Sequence, residues 1–128
     1  MKKIILTAVL LPFLYMSGFS QTLNKETLCK KWFLEKYEVM WIDYKPEEKE
    51  KNDYILLKTD MTYVSVDEGT KTFGKWTFNT EENYFTMFND KGEGIKIVID
   101  KLSINKMVLN IDIKEMDGVD IHYTTIKK

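Results

Sequence analysis

The sequence predicts an all-β fold, an eight-stranded antiparallel up-and-down barrel that follows a short N-terminal helical turn. From Tyr54 onward, β-prone runs recur about every ten residues, and turn residues separate them. Runs such as Met107 to Lys114 alternate apolar and polar residues, which gives each strand one apolar face. A series of short-turn strands leaves two open edges unless the sheet closes. We therefore favour a barrel over a β-sandwich, which would need longer crossover connections.

The chain of 128 residues is long enough for one domain after an N-terminal leader. Residues 1–20 show the order of a secretory signal peptide: two lysines, an apolar stretch over residues 4–16, and small residues at Gly18 and Ser20. The apolar stretch is too short to cross a bilayer as a helix. We expect cleavage near Ser20–Gln21, export to the periplasm or the cell exterior, and a mature monomeric domain over residues 21–128 without a membrane span.

The elements of the mature domain follow from local patterns. Asn24 is a predicted N-cap for one or two helical turns. The run from Trp32 to Asp43 has apolar residues on both faces, which predicts a strand with a bulge or a switch of face. The charged segment from Tyr44 to Asp53 is predicted to be a solvated loop, and Asp117-Gly118 a two-residue type I′ hairpin. The remaining strands are predicted over residues 54–58, 62–66, 72–78, 84–88, 95–99, 107–114 and 119–126.

The composition argues against several classes of function. The 19 basic residues are all lysines, and they are balanced by 20 acidic residues, so neither an arginine fork nor a basic excess favours nucleic-acid binding. The lone Cys29 excludes an intramolecular disulfide framework. The lone His122 shares a strand face with Asp120 and Thr124, so we expect it to face solvent. We predict no catalytic residue, no metal site and no cofactor, and hence a protein that is not an enzyme.

Three short motifs resemble the lipocalin-like domains of exported bacterial proteins. A Trp opens the first strand at Trp32, and Asp60-Met61-Thr62-Tyr63 is similar to the Asp-Gly-Thr-Tyr hairpin of that family, with Met61 in the place of Gly. The segment from Gly74 to Phe78 is similar to its Gly-x-Trp strand. The resemblance covers Leu28 to Ile126 and implies a barrel that holds a small molecule in its mouth.

Aromatic residues make up 13% of the chain and are the most distinctive candidates for ligand contacts. In a barrel they would either line a cavity for an apolar or planar ligand or simply fill the interior, because eight strands enclose little more than a packed core. Both alternatives stay open from the sequence. The predicted lining residues are Trp32, Tyr63, Trp76, Phe78, Tyr84, Phe88 and Tyr123.

The leading hypothesis for function is therefore an exported binding module of lipocalin-like type, with a small hydrophobic ligand as its partner. The alternative is a solid barrel that acts as an interaction module. Its contact surface with a protein or a cell-envelope polymer would then be the loop from Tyr44 to Asp53 or a face that carries Trp41.

Overall fold

The structure is a computed structural model, and it describes residues 24–127. The predicted signal peptide at residues 1–20 and its cleavage site lie outside the described residues. Within the described range, no helix has the length and hydropathy of a transmembrane segment.

Nine strands and one short helix make up the described chain. The helix α1 spans Lys25–Leu28, and single 3-10 turns occur at Glu48–Glu50 and Lys114–Met116. The strands are β1 (Lys31–Val39), β2 (Ile42–Tyr44), β3 (Tyr54–Leu57), β4 (Thr62–Asp67), β5 (Thr70–Asn79), β6 (Tyr84–Phe88), β7 (Gly94–Leu102), β8 (Lys106–Ile111) and β9 (Val119–Thr124).

The strands form a closed antiparallel barrel, which confirms the predicted fold class. Strands β3 to β9 follow one another in the sheet, and β1 pairs with both β3 and β9 to close it. The barrel thus has eight strands, and β2 is an additional strand on the same edge of β1 as β3. Closure removes the exposed edges that an open sheet of this length would present.

The first predicted strand is divided into two by a turn. A bulge lies between Leu34 and Lys36 where β1 pairs with β9, which confirms the predicted irregularity and explains the change in apolar parity. The run to Asp43 is not one strand, however. Met40 and Trp41 both have positive φ (51° and 66°) and join β1 to β2 as a two-residue hairpin. Neither residue type signals such a turn, so the sequence pattern missed it.

The prediction of a type I′ hairpin at Asp117-Gly118 is wrong. Strand β8 already ends at Ile111, and the connection to β9 contains a 3-10 turn. Asp117 has φ −62° and ψ 130° and Gly118 has φ 79°, the signature of the centre of a type II turn. The two-residue loop between β4 and β5 instead has positive φ at both Glu68 and Gly69 (52° and 86°).

One end of the barrel is filled by the two most buried indoles. Asn24 caps α1 as predicted, since its Oδ1 accepts a hydrogen bond from the Thr27 N–H at 3.0 Å. The helix places Leu28 so that its carbonyl oxygen accepts from Trp32 Nε1 at 2.9 Å. Trp76 Nε1 donates to the Lys58 carbonyl at 3.1 Å. Both tryptophans are 0% exposed, so this end, which we call the closed end, is a packed core.

Candidate functional site

A cavity of about 540 Å³ occupies the opposite end of the barrel, which we call the open end. It lies between the 3-10 turn at Glu48–Glu50, the turn between β4 and β5, and the connection from β8 to β9. The interior is therefore filled at one end and hollow at the other. The lining includes Leu34, Tyr37, Glu50, Asp53, Ile55, Tyr63, Ser65, Asp67, Thr72, Met87, Ile95, Ile97, Ile111, Ile121 and Tyr123.

Apolar side chains from successive strands form much of the cavity wall. Ile97 pairs with Ile111 across β7 and β8, and both line the cavity. Ile97 and Ile121 are 4% and 3% exposed, so this wall is continuous with the core below it. On the other side, Ser65 pairs with Ile55 and Thr72, and all three residues line the cavity.

Asp53 brings a buried carboxylate to the mouth of the cavity. Its carbonyl oxygen accepts from the Leu34 N–H, and its own N–H donates to the Glu50 carbonyl, each at 3.0 Å. Its Oδ1 accepts from the Glu68 N–H at 2.8 Å. The residue is only 7% exposed. Burial raises the pKa of Asp53 to about 6, and the nearby carboxylates of Asp67 and Glu50 add to the rise, which the Glu68 N–H opposes.

Glu50 is a second positioned carboxylate at this mouth. Its Oε2 accepts from the Tyr37 hydroxyl at 2.5 Å and its Oε1 from the Glu47 N–H at 3.0 Å. Burial and the Glu50 carboxylate raise the pKa of Tyr37, so the phenol stays protonated and keeps donating to Glu50. The 3-10 turn is thereby fastened to β1 across the barrel end.

Two tyrosine hydroxyls in the cavity have no hydrogen-bond partner among residues 24–127. Tyr63 is 6% exposed, and its ring lies against the backbone of Gly74, where a Cβ atom would come within 2.6 Å of the ring. Tyr123 is partly buried and pairs with Leu34 on the inner face. Burial raises the pKa of both phenols, so both present neutral hydroxyl groups to the cavity.

The seven predicted lining residues fall into three groups. Tyr63 and Tyr123 line the cavity. Trp32 and Trp76 lie in the packed core of the closed end, and Phe78 packs against that core, with its ring centroid 5.7 Å from that of Trp76. Tyr84 and Phe88 do not join either set. The structure thus brings two of the seven to the cavity and uses three as its filled base.

Tyr84 and Phe88 lie on the outer face of β6, which corrects the expected placement. The residues between them on the inner face are Phe85 and Met87, and Phe85 is 0% exposed and contacts Trp76 edge-on. Tyr84 instead lies under the ammonium of Lys96, 4.5 Å from its ring centroid. The strand has aromatic residues on both faces, so alternation alone could not show which face was internal.

The other two residues weighed for chemistry lie away from the cavity. His122 is on the outer face of β9, where its Nε2 is 3.0 Å from Glu38 Oε1, so it has a partner and is not simply solvated. The Cys29 thiol packs against the core at the closed end, and burial raises its pKa. Within residues 24–127, no three His, Cys, Asp or Glu side chains are arranged to hold a metal ion.

The carboxylates at the mouth were missed by the sequence reasoning. They were interpreted as parts of a solvated loop and of turns, where Asp and Glu are common. A local signal was nevertheless present, because Asp53 has the same parity as the inward Ile55 and Leu57, and Asp67 the same as Tyr63. Extending the alternation by one step past each strand would have placed both acids on the inner face.

Comparison with known proteins gives no match: no family model, no curated protein and no solved structure is similar to this chain.

Proposed function

We propose that the protein is a small-molecule-binding module that takes up an apolar ligand through the open end of its barrel. The observation that carries the proposal is the cavity of about 540 Å³ above a filled base. Its size falls in the range of small-molecule sites, and a mostly apolar wall with a few positioned polar groups is their usual composition. A solid interaction barrel would instead have side chains that fill the interior at both ends.

The resemblance to bacterial lipocalin-like domains and the leader pattern of residues 1–20 support a more specific proposal. We infer an exported, monomeric and non-enzymatic member of that type. Mass measurement of the protein from its own cells tests the export step, because cleavage at Ser20–Gln21 leaves a chain that begins at Gln21. A protein from the same cells that still begins at Met1 would contradict export.

The cavity proposal is tested with a variant that fills the site. Ser65→Trp places a large side chain on the wall of the cavity, where it takes up much of the volume, whereas Thr77→Trp puts the same side chain on the exposed outer face of β5. Nile red, an uncharged fluorophore that brightens in apolar sites, should bind the unaltered protein and Thr77→Trp alike. Binding should be lost in Ser65→Trp. Equal fluorescence in all three folded proteins would contradict the proposal.

A second candidate function rests on a different surface. The hairpin between β1 and β2 exposes a group of large apolar side chains, and Trp41 at its tip is 91% exposed. Such a cluster is typical of interaction sites. Its other members are Met40, Ile42 and Tyr44, which are 79%, 57% and 50% exposed.

Co-sedimentation with purified cell-envelope fractions tests this second function. Trp41→Ala should abolish co-sedimentation if the hairpin is the contact surface. Phe73→Ala is the matched control, because Phe73 is also exposed (62%) but lies on β5. Unchanged co-sedimentation of Trp41→Ala, or an equal loss with Phe73→Ala, would count against the hairpin.

A further inference from the structure

We propose that the ligand of the cavity is an amphiphilic organic cation, whose ammonium group is held by carboxylates and tyrosine hydroxyls at the mouth while its apolar part fills the interior. The inference deepens the proposed function and rests on it, because it concerns the same cavity. It adds a charge and an orientation that an apolar pocket alone would not specify.

The charge around the cavity is negative. The titratable lining groups are carboxylates and phenols, and within the described chain no Lys or His is among the lining residues. Lys31 Nζ is 4.1 Å from the ring centroid of the lining residue Tyr54, and the basic group that pairs with a lining carboxylate among the described residues is Lys49, whose Nζ is 2.8 Å from Glu68 Oε1 and 3.6 Å from Glu47 Oε2. It therefore pairs with the outer carboxylates and leaves the inner ones without a counter-charge. The field in the mouth attracts cations.

The Asp53 carboxylate is buried without a cationic partner. Its Oδ1 accepts from the Glu68 N–H, its side chain also interacts with that of Asp67, and no ion pair of the described residues includes it. Removing a carboxylate from water is costly unless it is paired, and the raised pKa of Asp53 reflects that cost. A bound ammonium would supply a positive charge beside the Asp53 carboxylate. Its N–H groups would replace the hydrogen bonds to water that burial removes.

Two tyrosine hydroxyl groups in the cavity also favour a cation, independently of the carboxylates. The Tyr63 hydroxyl is unpartnered among the described residues, belongs to a side chain more than nine-tenths buried, and lines the same cavity. The Tyr123 hydroxyl is also without a described partner there. An ammonium carries three donors and needs several acceptors. A carboxylate oxygen and neutral phenol oxygens supply them, and the tyrosine rings add cation–π attraction.

The apolar wall fixes the orientation of such a ligand. Ile97, Ile111 and Ile121 lie toward the core, whereas Asp67 and Glu68 lie at the exposed rim. An alkylammonium would therefore enter with its chain first and leave its head beside the carboxylates. A fatty acid would bring two like charges together, so the site should reject it.

The test compares three ligands with the same alkyl chain: decylammonium and decanoate, each below its critical micelle concentration, and decanol below its solubility limit. Isothermal titration at a pH of about 8 should show decylammonium binding roughly tenfold or more tightly than decanol, with decanoate weakest. The double variant Asp53→Asn with Asp67→Asn should reduce the preference for decylammonium over decanol several-fold, although Glu50 and Glu68 remain at the mouth. The control Asp100→Asn, an exposed acid on β7, should change neither.

The pH dependence provides a second readout. Asp53 is faced by Glu50 from its own loop, by Asp67 and Glu68 from β4 and its turn, by Tyr37 from β1 and by Tyr123 from β9. Lowering the pH from about 8 to about 5 protonates Asp53 and leaves decylammonium charged, so the preference over decanol should shrink several-fold. The affinity for decanol should stay constant.

The outcomes separate the two proposals. If decanol binds to the unaltered protein and not to Ser65→Trp, but decylammonium is no tighter, the cationic ligand is refuted and the cavity function stands. If decanoate binds as well as decylammonium, the cationic ligand is again refuted. If none of the three ligands binds, both proposals fail.

Discussion

At the scale of single residues, the burial of the Asp53 carboxylate at the mouth of the cavity costs stability. Asp53 is held in place by three hydrogen bonds through its backbone and Oδ1, yet its charge has no cationic partner. Residues at binding sites commonly carry such a cost. The consequence is a pH dependence of folding that can be measured without knowing the ligand.

The sign of that dependence follows from the raised pKa of Asp53. Between its ordinary value of 3.8 and about 6, the folded protein binds the proton more tightly than the unfolded chain. The free energy of unfolding should therefore fall as the pH rises through this window, and the penalty should persist above it. Asp53→Asn, which keeps an Oδ1 acceptor for the Glu68 N–H, should raise the free energy of unfolding at neutral pH by about 1 to 3 kcal/mol.

Urea unfolding at a pH of about 7 and again below 3.8 checks this prediction. Asp100→Asn is the control, because Asp100 is an exposed acid away from the cavity. If Asp53→Asn were no more stable than the unaltered protein at neutral pH, the buried carboxylate would not lower the free energy of unfolding.

Trp76 is the residue on which the closed end most depends. It is 0% exposed, its Nε1–H is satisfied by the Lys58 carbonyl, and it contacts Phe78 and Phe85. Trp76→Ala should lower the free energy of unfolding by about 3 to 5 kcal/mol, because it leaves a large hole in the core. The matched control is Trp41→Ala, whose side chain is exposed and should change stability little. An unchanged unfolding midpoint for Trp76→Ala would contradict its place in the core.

At the scale of elements, the connections hold most of the unexpected features. The alternation of apolar residues and the spacing of turns were sufficient to predict the closed barrel, because each strand has a distinct inner face. The type of each turn was not predictable from residue identity. Met40, Trp41, Met61 and Glu68 all adopt positive φ although their side chains disfavour it, so the tertiary structure imposes these conformations.

Met61 shows how the hairpin motif tolerates a departure from its pattern. It takes φ 67°, a conformation that favours Gly, and its side chain packs against the core. Asp60 Oδ1 stabilises the turn by accepting from both the N–H and the hydroxyl of Thr62. Burial of the Met61 side chain thus offsets the conformational cost of the turn.

Gly118 provides a test of the connection between β8 and β9. Its φ of 79° favours Gly, and no atom lies within 4 Å of the position where a Cβ would stand, so any cost of substitution comes from the backbone. Gly118→Val should reduce the free energy of unfolding by about 2 kcal/mol, whereas Gly118→Asn should cost less because Asn tolerates this conformation. Thermal unfolding compares them, and equal melting temperatures would contradict the turn.

The hairpin between β1 and β2 should be stabilised when its turn residues suit the backbone. Met40→Asn with Trp41→Gly installs the sequence that type I′ turns prefer, and it should raise the free energy of unfolding by about 1 to 2 kcal/mol. Lys45→Asn, in the exposed segment after β2, is the control. A stability loss in the double variant would mean that the two exposed side chains support the fold.

At the scale of the whole molecule, the barrel has one packed end and one hollow end. The sequence reasoning weighed a filled interior against a lined cavity, and both are present at different ends. Such a division could not be predicted from strand patterns, because it depends on how the segment from Tyr44 to Asp53 folds across one opening. Asp53 is buried only because of that long-range contact with β1 and the turn after β4.

Hydrogen exchange should reveal this division. Backbone amides near Trp32, Phe85 and Met107 at the closed end should exchange only through global unfolding, and those near Asp67 and Ile113 at the open end through local opening. A bound ligand should slow exchange at the open end specifically. Uniform protection at both ends without ligand would contradict the difference in local stability.

The most direct test of the binding function is native mass spectrometry of the protein purified gently from its own cells, beside Ser65→Trp prepared in the same way. We expect an additional small-molecule mass on the unaltered protein that is lost on denaturation and absent from the variant. A ligand-free mass for the unaltered protein, with no lipophile or alkylammonium able to add to it, would contradict the claim that the open end is a binding site.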